Sequence, residues 1–182
     1  AALERLAEAD AFTCIAVNRR KALWQVRALQ GPRPLPLFGA EGEGIVEPAT
    51  HLPAMTLGEE MIEDYLALRL SLRAHPMELL RPTLPGLTAH EDLADAPLRV
   101  QVCGLVITRQ RPGTASGVIF LTLEDETGVS NVIVWPKIYQ AFRRAVIGGR
   151  LLRVTGRVQR EGGVIHVIAE VVEDLSHALG QL

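Results

Sequence analysis

Aromatic residues and cysteines are scarce in this chain. Only 4% of its 182 residues are aromatic, and its two cysteines, Cys14 and Cys103, stand far apart and outside any CxxC spacing. This argues against a disulfide scaffold and against a zinc site. No apolar run approaches the roughly 18 residues of a membrane span, and no basic segment precedes an apolar one as in a secretory signal. We therefore expect a protein of the reducing cytoplasm.

Acidic and basic residues nearly balance over the whole chain but not along it. Hydrophobic residues make up 48% and charged residues 22%, a globular composition, and the formal net charge is −2. Residues 1–97 hold 9 Lys and Arg against 14 Asp and Glu, whereas residues 98–182 hold 10 against 7. Nine of those ten are arginines. The second half is therefore locally cationic, which favours a nucleic-acid partner there.

Residues 1–29 predict two helices. Apolar residues at helical spacing run over residues 1–11, and because the chain begins inside that helix we expect a piece of a longer protein. Asn18 is the predicted N-cap of a second helix that ends at Leu29. Arg19, Arg20 and Lys21 fall in its first turn, where the helix dipole disfavours cations. This placement indicates either phosphate contact or a solvated basic turn.

Residues 30–55 predict an extended linker. Prolines alternate with glycines there, and no hydrophobic periodicity is present. One apolar island interrupts the linker and contains Leu35, Leu37 and Phe38. An apolar island of this kind either docks on its own domain or binds the groove of a partner protein.

Residues 56–97 predict a helical connecting segment. Thr56 and Glu59 form a capping-box pattern that begins a helix ending near Arg73. Thr88 and Glu91 form a second such pattern, which predicts another brief helix. Four residues of the first of these helices are predicted to face the hydrophobic core, namely Met61, Tyr65, Leu68 and Leu72.

Residues 98–175 change to the alternation that is typical of β-strands. Strands are predicted over 98–109, 118–124, 129–135, 151–159 and 164–173, with a helix over 137–147 that turns Ile138, Phe142 and Val146 inward. This order of elements, three strands followed by a helix and two more strands, is that of an OB-fold, a five-stranded Greek-key barrel. The sequence therefore predicts an α+β chain. An N-terminal helical segment and linker precede the barrel, which has one helix between strands three and four, and residues 176–182 form a tail.

Alternation also predicts which side chains point away from the barrel core. Ile119, Leu121 and Leu123 form the inward set of the second strand, so Phe120 faces outward, as do Asn131, Ile133 and Trp135 in the third strand. OB barrels bind single strands on this face, where an aromatic ring stacks on a base and arginines hold phosphates. The alternative is that the helical half or the closing edge of the barrel covers the aromatic rings. The candidate nucleic-acid-binding residues are Arg109, Arg111, Phe120, Asn131, Trp135, Arg153, Arg157 and Arg160.

No residue pattern predicts catalysis or a metal site in this chain. Glu124, Asp125 and Glu126 stand in one tight turn before Gly128, which indicates a turn rather than a metal site. The five histidines show no ligand spacing. Neither a Ser/His/Asp arrangement nor a glycine-rich phosphate loop is present. We therefore assign no catalytic residue, cofactor or metal to the chain.

Several stretches of the chain resemble one family in the order in which they occur. The run VIFLTLEDETGVSNVIVWP (residues 118–136), followed by VTGRVQR (154–160) and GVIHV (163–167), closely resembles the C-terminal OB domain of the bacterial error-prone C-family DNA polymerases. These enzymes are the damage-inducible paralogues of the replicative polymerase III alpha subunit. Residues 6–24 resemble the end of that family's helix-hairpin-helix region, and residues 64–76 resemble its connecting segment.

The resemblance implies an accessory role in template-directed DNA synthesis across lesions. The family's catalytic acids hold Mg²⁺ in a palm domain outside this chain, so no catalytic residue is transferred to it. The OB domain is expected to bind single-stranded template DNA, and a sliding clamp or mutagenesis accessory proteins are expected partners. Residues 34–38 resemble the clamp-binding peptide of the replicative relative but lack its glutamine.

A second, weaker resemblance leaves other functions open. Residues 107–111 and 118–125 are similar to the anticodon-binding OB domain of aspartyl-type class II tRNA synthetases. In that family the residue matching Phe120 stacks on an anticodon base, and those matching Arg109 and Asn131 also touch the anticodon. Two alternatives to a DNA-binding barrel therefore remain. One is an RNA-binding domain, and the other is a protein-docking module centred on Trp135, Ile133 and the linker island.

Overall fold

The computed structural model describes residues 1–15, 17–29, 51–71, 73–113 and 116–182. These residues form two compact units, Ala1–Arg73 and Ala74–Leu182. The first unit contains helices α1 (Ala2–Glu8), α2 (Arg19–Ala28) and α3 (Leu57–Leu68), with a 3₁₀ turn over Thr13–Ile15. The helices of the second unit are α4 (Pro76–Leu80), α5 (Pro136–Ala141) and α6 (Arg143–Gly148), with 3₁₀ turns over Arg81–Thr83, Glu91–Ala94 and Ser176–Gln181. Its strands are β1 (Arg99–Gln110), β2 (Ile119–Glu124), β3 (Val129–Val134), β4 (Leu151–Glu161) and β5 (Val164–Asp174).

The two helix starts predicted for the first unit are confirmed. The side chain of Asn18 accepts a hydrogen bond from the backbone N–H of Lys21 at 2.9 Å, and Thr56 and Glu59 form a reciprocal capping box. The predicted end of α3 is wrong, because Arg69 adopts a left-handed backbone with φ of 66° that cannot continue a helix. Among the predicted core positions of α3, Met61 is buried and Tyr65 half-buried, Leu68 is exposed, and Leu72 lies outside the described residues.

Arg19 is fully buried in the first unit, so it is neither a phosphate contact nor part of a solvated turn. Its guanidinium donates to the backbone carbonyl of Glu60 at 2.8 Å and to the carboxylate of Asp64. Its neighbour Arg20 donates to the carboxylate of Glu59 at 3.3 Å. The basic first turn of α2 is therefore compensated by acidic residues of α3, which offset the unfavourable position at the helix N-terminus.

The five strands close a barrel in the order β1-β2-β3-β5-β4. Neighbouring strands are antiparallel except β3 and β5, which run parallel. The three predicted inward residues of β2 are buried and alternate with half-buried ones. This order, with helical turns between β3 and β4, is the OB-fold that the sequence predicts, so the predicted α+β architecture is confirmed. The barrel core includes Val102, Leu121, Leu123, Val132, Val134, Leu152, Val154 and Val167.

Two β-bulges interrupt the alternation of the strands. In β1 the register against β2 shifts between Val106 and Thr108, which leaves the exposed Ile107 as the extra residue. In β5 the register against β4 shifts beside Gly156. A side chain at that position would place its Cβ 2.2 Å from the carbonyl oxygen of Ile168. The second bulge therefore requires glycine at position 156.

The helix predicted between strands three and four is two short helices. α5 and α6 are separated at Phe142, whose backbone φ of −116° and ψ of 30° are not helical. The predicted inward side chains are confirmed, since Val146 is buried and Ile138 and Phe142 pack against the barrel core. Both helices therefore contact the core, but as separate short segments.

The second predicted capping box does not form. The backbone N–H of Thr88 instead donates to the carbonyl of Gln101 on β1 at 2.8 Å. Only a 3₁₀ turn follows, over Glu91–Ala94. No helix in the described ranges is long and apolar enough to cross a membrane.

Candidate nucleic-acid interface

The outer face of the barrel carries a row of apolar side chains. Phe120 on β2 lies opposite Ile133 on β3, and Ile133 lies opposite Ile168 on β5. Residues directly opposite in neighbouring strands share one face of a sheet. All three are half-buried, and within the described barrel they are not part of its packed core. We call Phe120, Ile133 and Ile168 the apolar strip.

Hydrogen-bonding side chains run parallel to the apolar strip. Thr122 lies opposite Asn131, Asn131 opposite His166, and His166 opposite Gln159. The hydroxyl of Thr122 donates to the side-chain oxygen of Asn131 at 3.4 Å. We call Thr122, Asn131, His166 and Gln159 the polar row. Hydroxyl, amide and imidazole groups beside an apolar surface can bond the edges of a base that rests on that surface.

Trp135 and Arg111 lie at the two chain ends that leave this face. Trp135 follows β3 two residues after Ile133, on the same side by alternation, and is 51% exposed. Arg111 follows Gln110, the residue of β1 that lies opposite Phe120. Its guanidinium carbon is 5.5 Å from the centre of the Tyr139 ring. An exposed indole and a cation therefore border the apolar strip.

Arg109 contacts a helix end rather than the predicted face. The bulge at Ile107 reverses the alternation of β1, so Arg109 lies opposite the core residue Leu121. Its Nε donates to the carbonyl of Val146 at 2.9 Å, and its Nη2 donates to the carbonyl of Gly149. These carbonyls lie at the C-terminal end of α6, where a cation is favourable.

The other predicted arginines have partners within the chain. The guanidinium of Arg153 donates to the carboxylate of Glu173 at 2.8 and 2.9 Å, and these hydrogen bonds raise the pKa of Arg153. Arg160 donates to the backbone carbonyl of Leu93 at 2.9 Å. Arg157 lies opposite Ile168, at the edge of the apolar strip, and donates to Glu170 at 2.7 Å. The structure therefore brings Arg157 next to the strip but engages Arg153 and Arg160 in internal contacts.

A buried polar cluster that the sequence pattern does not predict lies at the turn between β2 and β3. Asp125 accepts the backbone N–H groups of Thr127 and Gly128 at 2.8 and 3.0 Å, which confirms the turn. It also accepts the backbone N–H of His90 at 3.0 Å and the guanidinium of Arg81 at 2.8 Å. Burial raises the pKa of Asp125, but the hydroxyl of Thr127, the nearby His90 imidazole and the backbone N–H groups of Thr127 and His90 outweigh burial and leave the pKa lowered.

His90 connects this turn to β3. Its Nδ1 lies 3.2 Å from the carbonyl of Gly128, and its Nε2 lies 3.3 Å from the hydroxyl of Ser130. Burial lowers the pKa of His90. Ser130, His90 and Asp125 are the residue types of a nucleophilic triad, but they are only 2%, 4% and 3% exposed. Because a substrate cannot reach them, their role is to attach residues 81–94 to the barrel.

Three features remain from the sequence, namely the potential metal ligands, the cysteines and the linker island. The described residues bring together no group of three His, Cys, Asp or Glu side chains that could hold a metal ion. Both cysteines are free, and burial raises the pKa of Cys103 to about 12. Leu35, Leu37 and Phe38, the predicted partner-binding residues, lie outside the described residues.

Comparisons with known proteins agree with the geometry of the barrel. Residues 100–175 match the tRNA anti-codon family, described as an OB-fold nucleic acid binding domain. The chain is 70% identical to the error-prone DNA polymerase of Ruegeria pomeroyi, over 100% of this chain and 17% of that protein. It is 50% identical to error-prone DNA polymerase 1 of Rhizobium meliloti, over 99% of this chain and 17% of that protein. It is 47% identical to the error-prone DNA polymerase of Brucella abortus, over 96% of this chain and 17% of that protein.

The chain therefore spans about 17% of the length of the curated relatives that it matches. The resemblance to error-prone polymerases that the sequence indicates is confirmed, and an OB-fold domain lies within the matched segment.

Proposed function

We propose that this chain, a segment of an error-prone DNA polymerase, is the C-terminal accessory region of that enzyme and binds single-stranded template DNA through its barrel. The apolar strip and the adjacent polar row carry this proposal. They lie on the strands where OB barrels bind single strands. The description of the matching family supports a nucleic-acid ligand, and the names of the relatives support DNA.

The strip binds bases by stacking. A base placed on Phe120 extends over Ile133, and the next base reaches the exposed indole of Trp135. Stacking on an aromatic ring contributes roughly 1–3 kcal/mol per base and tolerates any base, because every base has a π-face. Asn131 and Thr122 bond the base edges from the side. A surface of this kind holds a template without requiring an intact pairing edge, which suits a damaged strand.

The parent enzyme carries out DNA-directed DNA synthesis across lesions during damage-induced mutagenesis in the cytoplasm. The acids that hold its Mg²⁺ lie in another part of the protein. The isolated chain is therefore expected to incorporate no nucleotide into a primed template.

Recruitment is proposed to depend on other proteins. The island with Leu35, Leu37 and Phe38 is the candidate contact for a sliding clamp or for mutagenesis accessory proteins, on the basis of its sequence alone.

A second candidate function is protein docking through the same strip. Phe120, Ile133 and Ile168 are apolar and half-buried, and Trp135 beside them is exposed. Aromatic residues of this kind are frequent energetic centres of protein interfaces. Docking depends on apolar volume, whereas base binding depends on the π-face of the ring, so the two functions respond differently to substitution of Phe120.

The test is fluorescence anisotropy with a labelled single-stranded DNA and the variants Phe120→Leu and Phe120→Tyr. Loss of the ring is expected to weaken binding about 5- to 150-fold, from roughly 1–3 kcal/mol of stacking, while Phe120→Tyr binds nearly as wild type. Trp24→Ala, which removes an exposed aromatic residue of the first unit, is the matched control.

Each alternative has its own outcome in this titration. Equal binding by Phe120→Leu and wild type contradicts stacking on this strip. Absence of binding to wild type at low salt favours docking. Tighter binding of a matched single-stranded RNA favours the anticodon-type alternative.

A further inference from the structure

The basic residues of the barrel divide into paired and unpaired groups. Between Glu126 and Glu161 the sequence has no acidic residue and seven basic ones. Three of them, Arg153, Arg157 and Arg160, donate to carboxylates or backbone carbonyls. Within the described part of the chain, the side chains of the other four neither form an ion pair nor donate to a backbone carbonyl, and this also holds for Arg111 in the preceding loop. The unpaired residues of this stretch are Lys137, Arg143, Arg144 and Arg150.

Two of the unpaired arginines contact one tyrosine. The guanidinium carbon of Arg111 lies 5.5 Å from the centre of the Tyr139 ring. The Nε of Arg143 donates to the hydroxyl of Tyr139 at 3.3 Å. Arg144 lines the same concave surface as Arg143, where α5 and α6 meet. We call Arg111, Tyr139, Arg143 and Arg144 the arginine–tyrosine cluster.

The cluster continues from the chain segments that border the apolar strip. Arg111 directly follows Gln110, which lies opposite Phe120. Tyr139 lies on α5, which begins directly after Trp135, and Arg143 is the first residue of α6, which follows α5. A single DNA strand whose bases rest on the apolar strip and on Trp135 therefore reaches this cluster where it leaves the strip.

The chemistry of the cluster fits phosphate. A guanidinium presents several N–H donors in a planar fork that matches phosphate oxygens, and it is more weakly hydrated than an ammonium group. The contact with Tyr139 orients the guanidinium of Arg111 without neutralising its charge. Because no carboxylate within the described residues pairs with these cations, an incoming anion displaces no internal ion pair there. The arginines bonded to Glu173 and Glu170 do not have this property.

We infer that the arginine–tyrosine cluster is a second binding site, which holds the phosphodiester backbone of the single strand where it leaves the apolar strip. The contact is independent of base sequence and extends the bound length of the strand. The inference rests on the proposed function, because the strip supplies the first contact.

The test uses labelled oligothymidylates of two lengths, about 6 and about 25 nucleotides, since one OB barrel occupies roughly 4–16 nucleotides. The long strand reaches both sites, and the short strand occupies the strip. The double variant R143A/R144A is expected to weaken binding of the long strand about tenfold at low salt. The slope of log K against log salt should become shallower by about 1.4, because each phosphate that is no longer neutralised removes roughly 0.7 from it. Binding of the short strand should stay unchanged.

Two further variants separate a phosphate site from a general loss of charge. R143K/R144K keeps both cations and should retain most of the binding of the long strand. Arg99→Ala removes an exposed cation that is already bonded to Glu170 at 3.0 Å, and it should leave both lengths unaffected. Equal weakening by Arg99→Ala and by the double alanine variant would overturn the inference.

The outcomes also distinguish this inference from the proposed function. If Phe120→Leu weakens both lengths and R143A/R144A weakens neither, the second site is wrong while the strip remains. If wild type binds neither strand, the proposed function fails and the inference with it. If poly-glutamate binds through Arg143 and Arg144 while the long strand does not, the cluster recognises an acidic protein segment and the inference is overturned.

Discussion

Phe120 and Ile133 lie directly opposite each other on β2 and β3, and both side chains point away from the barrel core. Each is flanked along its strand by buried residues, so the backbone that presents the pair is held by the core itself. A rigid strand fixes a ring more precisely than a loop does. The pair therefore forms a rigid apolar surface on the outer face of the barrel, which is the surface that the proposed function assigns to a base.

Ile133→Glu is expected to weaken binding of single-stranded DNA more than about tenfold. The substitution replaces apolar surface beside Phe120 with a carboxylate, which repels phosphates and disturbs a base stacked on Phe120. Val129→Glu is the matched control, because Val129 is an exposed residue of β3 at the end remote from Ile133. Anisotropy titrations of the two variants compare them, and equal losses would show a general effect of charge instead of a local contact.

Arg19→Met is expected to destabilise the first unit by about 3–5 kcal/mol, since it leaves the buried carboxylate of Asp64 without its cation and leaves Glu60 with only the more distant Arg73. Arg27→Met removes a cation from an exposed pair with Glu4 and should cost less than about 1 kcal/mol. Urea unfolding followed by Trp24 fluorescence, with Trp135→Phe in the background, measures both. Similar losses for the two variants would contradict the role given to Arg19.

Stability of the second unit is expected to fall with acid. Burial lowers the pKa of His75 and of His90 below the ordinary value of 6.5, so the folded protein keeps both neutral while the unfolded chain binds protons. Their contribution is therefore complete above pH 6.5 and is lost as the pH falls below it. The lowered pKa values of Asp125 and Glu126 add a second loss below their ordinary 3.8 and 4.5.

The histidine part of this pH dependence is tested with His90→Gln. The variant is expected to be less stable at neutral pH, but its Tm should change less than that of wild type between about pH 7 and about pH 5. His51→Gln, at an exposed position of the first unit, serves as control. A Tm profile of His90→Gln that runs parallel to wild type over this range would contradict the assignment.

Gly156→Ala is expected to destabilise the barrel by about 2 kcal/mol or more, because the new methyl group meets the carbonyl oxygen of Ile168 at 2.2 Å. Gly113→Ala is the control, since a Cβ there meets no atom within 4 Å. Unfolding followed by Trp135 fluorescence in a Trp24→Phe background compares the two. A neutral effect of Gly156→Ala would show that the strands can separate at the bulge without loss of stability.

The strand order and the outward residues of β2 and β3 could be predicted because those strands keep strict alternation. β1 does not, and the bulge at Ile107 moves Arg109 to the side of Leu121 and the end of α6. The sequence of β1 carries no local sign of this bulge. Its position depends on which residues of β2 the strand faces, so alternation alone places Arg109 on the wrong side, beside Phe120.

The buried charges could not be predicted for a similar reason. Arg19 contacts groups 41 and 45 residues away, and His90 contacts Asp125 across 35 residues. Local rules place a cation in the first turn of a helix on the surface. Only the folded chain, which brings the start of α2 next to α3, supplies the carboxylates that make its burial favourable.

Trp135 can report directly on binding of single-stranded DNA to the face of β2 and β3. With Trp24→Phe, Trp135 is the remaining tryptophan of the chain. We expect a single-stranded oligonucleotide to quench its emission with the same midpoint as the rise in anisotropy, and Phe120→Leu to shift both midpoints together. An unchanged Trp135 emission at DNA concentrations that saturate the anisotropy would contradict binding on this face.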